Sequence, residues 1–375
     1  MEFLYEGLLA ITWQQFVMYL VGGLLIYLAI KKDFEPALLL PMGFGAILVN
    51  LPLSGMIDQA TEGIGVTHGI IQWLYEVGIE AAEAMPILLF IGIGAMIDFG
   101  PLLARPKMFL FGAAAQFGIF FSMSIATLLG FDLIDAASIG IIGAADGPTS
   151  ILVSQVLGSN YVGPIAVVAY SYMALVPIIQ PIVIKTITTK KERAIKMNHT
   201  SKPISKRTRI LFPIIVSIIA GLVAPMSVSL VGSLMFGNLI RECGVLKRLS
   251  ETAQNEFANI ITLLLGFTIS FSMQANQFVS IQTLYIMIIG LTAFVFDTIG
   301  GVMFAKLLNL FSKDKVNPMI GAAGISAFPM AARVVQKLSL SEDKTNHLLM
   351  EAVGANVSGQ IASVVAGGMI LGFFA

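Results

Sequence analysis

Twelve apolar stretches set the terms for this chain. They run over about 14–30, 36–51, 84–99, 107–129, 135–157 and 161–184, then about 209–223, 225–240, 257–272, 281–311, 317–338 and 346–374. Runs of that length need a bilayer or a buried core around them. Hydrophobic residues make up 57% of the 375 residues, charged residues only 12%, and the mean hydropathy is +0.87. Soluble domains carry about 25% charged residues. The sequence therefore reads as an all-α polytopic membrane protein.

The same composition removes whole function classes. A net charge of zero gives no reason to expect nucleic acid. The single cysteine, Cys243, rules out a disulfide framework and a thiolate zinc cluster. His68, His199 and His347 sit in connecting stretches without metal-ligand spacing, so no transition-metal site is expected. No phosphate-binding glycine loop and no Ser/His/Asp set is present. Energy must then come from a gradient, a small bound molecule or a partner. The opening MEFLYEGLLAITWQQ lacks a basic n-region, so no cleaved signal peptide is expected.

Basic residues orient the segments, because cytoplasmic loops carry the Lys and Arg. Lys31 and Lys32 place the first loop inside; loop 52–83, with Asp58, Glu62, Glu76, Glu80 and Glu83 and no Lys or Arg, lies outside. Arg105 and Lys107 return the chain to the inside. The linker carrying Lys185, Lys190, Lys191, Arg193, Lys196, Lys202, Lys206, Arg207 and Arg209 must also be inside. That is possible only if 135–157 enters from outside and turns back. Lys313 and Lys315 before segment 317–338, and Arg333, Lys337 and Lys344 within or after it, make that segment turn back too, from the inside. The expected architecture has two inverted repeats, 1–185 and 209–375, joined by a basic, mobile linker, 186–208. Each repeat holds five transmembrane helices and one re-entrant hairpin (135–157 and 317–338), about ten spans in all, with the N-terminus outside. A folded-back segment of 23 residues has arms of about 16 Å, which reach the middle of a core of about 30 Å.

Internal likeness agrees with two repeats. IIGAADGPTSILVSQVL (141–157) matches MIGAAGISAFPMAARVVQKL (319–338) through IGAA and a following proline. Gly and Pro suit a non-helical tip, and such backbone survives at membrane depth only inside protein or beside water. Residues 66–80 look amphipathic, with Trp73 and Tyr75 suited to an interface.

One carboxylate, Asp146, stands at the first tip in GIIGAADGPTSILVS (140–154). A charge left in lipid costs several kcal/mol, so this acid is the first candidate for ion handling. Asp before Gly-Pro-Thr also suits a helix N-cap, and the two roles are compatible. The carboxylate, unwound carbonyls and a hydroxyl from Thr149 or Ser150 make a hard-oxygen site for Na+; the same group equally holds a proton. In GANVSGQIASVVAGG (354–368), Asn356, Gly359 and Ser363 share a helix face, for ion or substrate contact or for close packing. Tyr170, Ser171 and Tyr172 lie at the equivalent depth of the first half and offer a phenol for proton relay or packing. Gln116 and Asp297 occupy matching places in the fourth and tenth segments. Asp297 is a second deep carboxylate, functional or structural. Arg333 is either a snorkelling residue or a clamp for an anion from the cytoplasm. Asp98 and Lys306 read as interfacial.

GIIGAADGPTSILVSQVL, AYSYMALVPIIQP, GISAFPMAARVVQK, GANVSGQIASVVAGG and LLIYLAIKKDFEPALLLPMGFGAILVN together resemble the membrane β subunit of the biotin-dependent, sodium-pumping decarboxylases. These are the oxaloacetate, methylmalonyl-CoA, glutaconyl-CoA and malonate systems. The likeness covers essentially the whole chain, and GAADGPT is its most specific element. It implies that a soluble carboxyltransferase α subunit moves CO₂ onto biotin of a carrier protein. The β subunit then decarboxylates carboxybiotin, which it does not hold covalently, consumes a proton and exports Na+. It assigns the central acid to Asp146, polar contacts to Asn356 and Ser363, and a relay tyrosine to Tyr172. Joined to the reading of the residues, the expected set is Asp146 and Tyr172 for chemistry; Asp146, Thr149, Asn356 and Ser363 for Na+; and Arg333 and Asn356 for carboxybiotin. Gln116, Asp297 and Ser171 are further candidates. The likeness also implies a small single-span partner, a homo-oligomeric core and a bacterial cytoplasmic membrane. A Na+-coupled secondary carboxylate transporter without chemistry is the alternative; a membrane scaffold would leave Asp146 unexplained.

Overall fold

The computed structural model describes residues 3–33, 35–61, 65–81, 83–197, 204–312 and 314–374. His199, Lys202, Glu62 and Lys313 lie outside the described residues. The fold is helical apart from a small antiparallel hairpin, β1 (Asp58–Thr61) and β2 (Gly65–His68), in the loop read as external.

The first helices show how local chemistry sets boundaries. Helix α1 (Trp13–Lys32) opens with Thr12, whose hydroxyl accepts from the Gln15 backbone while the Gln15 side chain accepts from the Thr12 N–H. Lys31 and Lys32 fill its last turn, where cations suit the negative helix end. Helix α2 (Pro36–Val49) begins at a proline, whose missing N–H costs nothing in the first turn. The chain continues as α3 (Ala84–Met96), α4 (Phe109–Ala115), α5 (Phe117–Leu128), α6 (Leu133–Gly140), α7 (Gly147–Val156) and α8 (Val162–Ile187). The second half holds α9 (Lys206–Val223), α10 (Val228–Cys243), α11 (Ala258–Ile269), α12 (Ile281–Phe311), α13 (Met319–Ala322), α14 (Met330–Glu342) and α15 (Leu349–Phe374).

Among the described residues, five helices are long and apolar enough to cross a membrane, or seven if each bent pair is one span. One such bend is informative. Helix α8 turns by 67° between Met173 and Leu175. Pro177 lies inside it and removes the N–H that would bond the carbonyl of residue 173.

Packing follows a reciprocal pattern across the halves. Helix α2 lies on α11, and α10 lies on α3; α8 lies on α12, and α15 on α4. The pair α6 and α7 packs on α5 and α15, while α13 and α14 pack on α12 and α8. Small residues permit the closest of these approaches: a Cβ on Gly321 of α13 would strike the carbonyl of Gly301 in α12.

Within the linker, residues 188–197 depart from the expectation of a mobile segment. Arg193 is buried, with Nε 2.8 Å from Glu342 Oε1 and Nη1 2.6 Å from the Thr188 carbonyl. Asn317 Nδ2 donates to the carbonyls of Arg193 and Ile195, both at 2.8 Å, and Asn346 Nδ2 reaches the same two. Lys196 pairs with Asp343 at 3.1 Å, and Lys306 with Glu192 at 3.0 Å. Residues 188–197 thus strap the base of α13 and α14, because backbone carbonyls of the linker satisfy side chains at both ends of that hairpin. Of the two aromatics assigned to an interface, Trp73 is exposed, whereas Tyr75 is buried and its ring lies 4.5 Å from that of Phe271.

Candidate ion site

Asp146 stands where two short helices meet. The chain leaves α6 through a 3-10 turn, Ile141–Ala144, reverses at Ala145 with φ +53, and starts α7 at Gly147. A left-handed alanine is strained by about 1 kcal/mol or more, and neighbouring structure must hold it. Pro148 fixes the first turn of α7, and Asp146 is its N-cap, with Oδ1 3.5 Å from the Thr149 N–H. Position 147 admits only glycine, because a Cβ there would enter the ring of Tyr170.

The other carboxylate oxygen is held more tightly. Thr149 Oγ1 donates to Asp146 Oδ2 at 2.7 Å, and Ser363 Oγ of α15 lies 3.1 Å from the same oxygen. Ser363 Oγ also lies 3.0 Å from the Gln360 carbonyl, so its one proton serves either acceptor. Asp146 is 3% exposed, and Thr149 and Ser363 are fully buried. One carboxylate, two hydroxyls and a carbonyl form a set of hard oxygens that suits an alkali cation and offers nothing to a soft metal. Among the described residues, no group of three His, Cys, Asp or Glu side chains is placed to hold a metal ion.

A second tip crosses the first. Between α13 and α14 the chain runs unwound through residues 323–329, with a cis peptide at Phe328–Pro329. The Ser326 N–H donates to the Ala144 carbonyl at 3.2 Å, so the two tips are bonded to each other. Helix α15 backs both. Ser363 serves Asp146, while Asn356 Nδ2 donates to the Ile325 carbonyl at 2.6 Å and Gln360 Nε2 donates to the Ser326 carbonyl. Asn356 and Ser363 lie about 10 Å apart along the axis, so each attends a different tip. Asn356 Oδ1 is buried with no partner among the described residues, which leaves an acceptor for a water or an ion.

The remaining candidates divide. Tyr172 does not touch Asp146: its hydroxyl donates to the Met287 carbonyl of α12. Tyr170, two residues earlier, packs its ring on Gly147 and keeps a buried hydroxyl without a partner among the described residues. Ser171 is half-buried on the same turn. Asp297 is fully buried; its Oδ1 accepts from the Gly118 N–H at 2.6 Å, and Oδ2, beside Gly143, has no partner among the described residues. It caps α5 after the break at Gln116, whose Nε2 donates back to the Gly112 carbonyl at 3.0 Å. Arg333 is exposed on α14 and makes no ion pair among the described residues. It is not joined to Asn356. Sequence reasoning placed Gln360 on the polar face of 354–368 without a role, and passed over Ser326 and Gln180, whose Nε2 reaches the Ala322 carbonyl at 2.5 Å. Their polarity inside apolar segments was the available signal.

The Na+-transporting oxaloacetate decarboxylase beta subunit family matches residues 14–374. The chain is 46% identical to the methylmalonyl-CoA decarboxylase subunit beta of Propionigenium modestum, covering 98% of this chain and 97% of that one. It is 47% identical to the glutaconyl-CoA decarboxylase subunit beta of Acidaminococcus fermentans (98% and 95% covered). Against the oxaloacetate decarboxylase beta chain 2 of Salmonella typhi it is 43% identical (97% and 96% covered). With likeness running from end to end, and a buried acid at the crossing of two helix breaks, the chain belongs to the family of Na+-transporting oxaloacetate decarboxylase beta subunits.

Proposed function

We propose that this membrane subunit decarboxylates carboxybiotin brought by a carrier protein, consumes one proton and exports Na+. The observation that carries the reading is the buried Asp146 carboxylate, held by Thr149 and Ser363 where the two tips cross. The chemistry is a bond cleavage: the N–CO₂⁻ bond of carboxybiotin breaks, CO₂ leaves, and the ureido nitrogen takes a proton. Na+ and that proton compete for Asp146, so sodium arrival at the carboxylate releases the proton the substrate needs. Tyr172 is the relay named by family likeness; Tyr170, against the tip, is the phenol nearer the acid. Asn356, with its unpartnered Oδ1, and Arg333 receive the substrate. Arg333 lies nine residues before the end of α14, about 14 Å along the helix. An exposed arginine at that depth needs a wet crevice rather than lipid, and such a crevice admits an anion from the cytoplasm. Asp297, Gln116 and Ser171 support the moving parts. Moving one charge against 100 mV costs about 2.3 kcal/mol, so each decarboxylation must be tied to transport.

The topology follows the same reading: repeats 1–185 and 209–375, five spans and one re-entrant hairpin in each, ten spans in total, with the N-terminus outside. Reciprocal packing of α2 on α11 and α10 on α3 supports it. The partners are a carboxyltransferase α subunit, a biotin carrier protein, a small single-span subunit and further copies of this chain, in a bacterial cytoplasmic membrane. A secondary carboxylate transporter without chemistry accounts for the acid but not for family membership. Reconstituting the complex in proteoliposomes with free carboxybiotin decides between them. The wild type releases CO₂ and takes up ²²Na+, and Asp146→Asn does neither. Sodium movement with a solute but without CO₂ release sinks the reading.

A further inference from the structure

A cavity of about 530 Å³ lies at the far end of α7 from Asp146. Its lining includes Gln155, Ser159, Asn160, Ser272, Gln277 and Gln282, and no charged side chain lines it. Behind it stands Asp135, 4% exposed, whose carboxylate accepts from Ser159 Oγ at 2.7 Å, the Asn160 N–H at 3.0 Å and Asn160 Nδ2 at 3.2 Å. Asp135 makes no ion pair among the described residues. Neutral oxygens in front of an uncompensated carboxylate favour a cation and disfavour an anion.

The opposite end of α12 is different. A cavity of about 910 Å³ there is edged by Arg105, Lys107, Lys196 and Lys315 against one acid, Asp314, near Leu308 and Phe311. Gln282 and Leu308, one from each cavity, are about 39 Å apart along the single helix α12. On the proposed topology the two cavities open on opposite faces of the bilayer.

Helix α7 joins the acid to the neutral cavity. Gln155 follows Asp146 by nine residues, about 14 Å. Ser150 and Ser154 fall between them on one helix face, both fully buried. At the end of that helix Tyr75 Oη donates to Gln155 Oε1 at 3.3 Å. Tyr75 arrives from a π-helical junction, Glu76–Glu80, a geometry concentrated at functional positions.

We propose that the neutral cavity is the outer mouth of the sodium path and that the Tyr75–Gln155 contact is its door. This rests on the pump reading above. Sodium freed from Asp146 travels along α7, and the cavity rehydrates it. The pair is shut in this conformation, which keeps outside Na+ from Asp146.

The test uses the complete decarboxylase complex in proteoliposomes, on a Cys243→Ser background. Tyr75→Phe keeps the ring and removes the hydroxyl. Its passive ²²Na+ leak rises about tenfold, the worth of one neutral hydrogen bond, while CO₂ release from carboxybiotin is unchanged. Gln277→Cys reacts with a membrane-impermeant thiol reagent applied to the face opposite the carrier, and Na+ slows that reaction where choline does not. An unchanged leak, or labelling indifferent to Na+, overturns the door and leaves the pump intact. A wild-type complex that never releases CO₂ sinks both.

Discussion

At the tip of the first hairpin stands a carboxylate; at the matching place of the second stands Gly324, aligned through IGAAD and IGAAG. The difference continues to the base. The first hairpin closes without an ion pair among the described residues, with the neutral Ser159 and Asn160 around Asp135 and Tyr75 on Gln155. The second is strapped by Arg193–Glu342, Lys196–Asp343 and two asparagines. One plan thus carries two assignments. On the proposed reading, the hairpin that handles the ion keeps a base held by neutral donors around one acid, which a cation can pass, and its partner is fixed by ion pairs at the linker.

The sharpest way to break this contrast is to copy the second tip onto the first. Asp146→Gly should lower Na+-dependent decarboxylation by about a thousandfold or more, near 4 kcal/mol in barrier. A variant that retains a tenth of the wild-type CO₂ release rate would mean the carboxylate is not central. At the other base, Glu342→Gln leaves the buried Arg193 unpaired. Thermal unfolding in detergent should report a loss of about 3 kcal/mol, and hydrogen exchange over 188–197 should quicken. Ser159→Ala, at the neutral base, should cost about 1 kcal/mol. Equal losses at the two bases would erase the distinction.

Within the ion site the effects are smaller. Thr149→Val and Ser363→Ala each remove one hydroxyl from Asp146 and should raise the half-saturating Na+ concentration about tenfold, with the maximal rate less affected. No shift in either would remove these hydroxyls from the sodium shell. The smallest effect concerns pH. The Thr345 N–H and hydroxyl, then Lys196, hold the Asp343 carboxyl down at about 2. The unfolded value is about 3.9. A group held below its unfolded value adds stability above that value and loses it as pH falls through the folded one. Asp343→Asn should therefore shift the melting temperature by the same small amount at about pH 5, 6.5 and 8. A gap that changes across that range contradicts the assignment.

Much of this was legible in the residues. Helix breaks at Asp146-Gly-Pro and at Gly324–Pro329 announce themselves through local backbone chemistry, and a cap three residues before Thr149 is a local pattern. The choice between Tyr170 and Tyr172 was not legible. Both lie just before the kink at Pro177, and only packing on Gly147 and on α12 decides which way each phenol points. The docking of the linker was equally hidden. Its basic run reads as solvated, but Asn317 and Asn346, more than a hundred residues away, supply the amides that hold it. The Tyr75–Gln155 contact joins residues 80 apart in sequence, which no periodicity reveals.

Helix α12 bears on both hairpins within one turn: Asp297 lies against Gly143 of the first, and Gly301 against Gly321 of the second. If the hairpins move as the proposed pump requires, such a helix is their fulcrum. Tilting either arm presses on the same few ångströms of its surface, so the opposite arm must answer. Synchrony between the two sides of the membrane then needs no messenger beyond steric contact at one shared bearing.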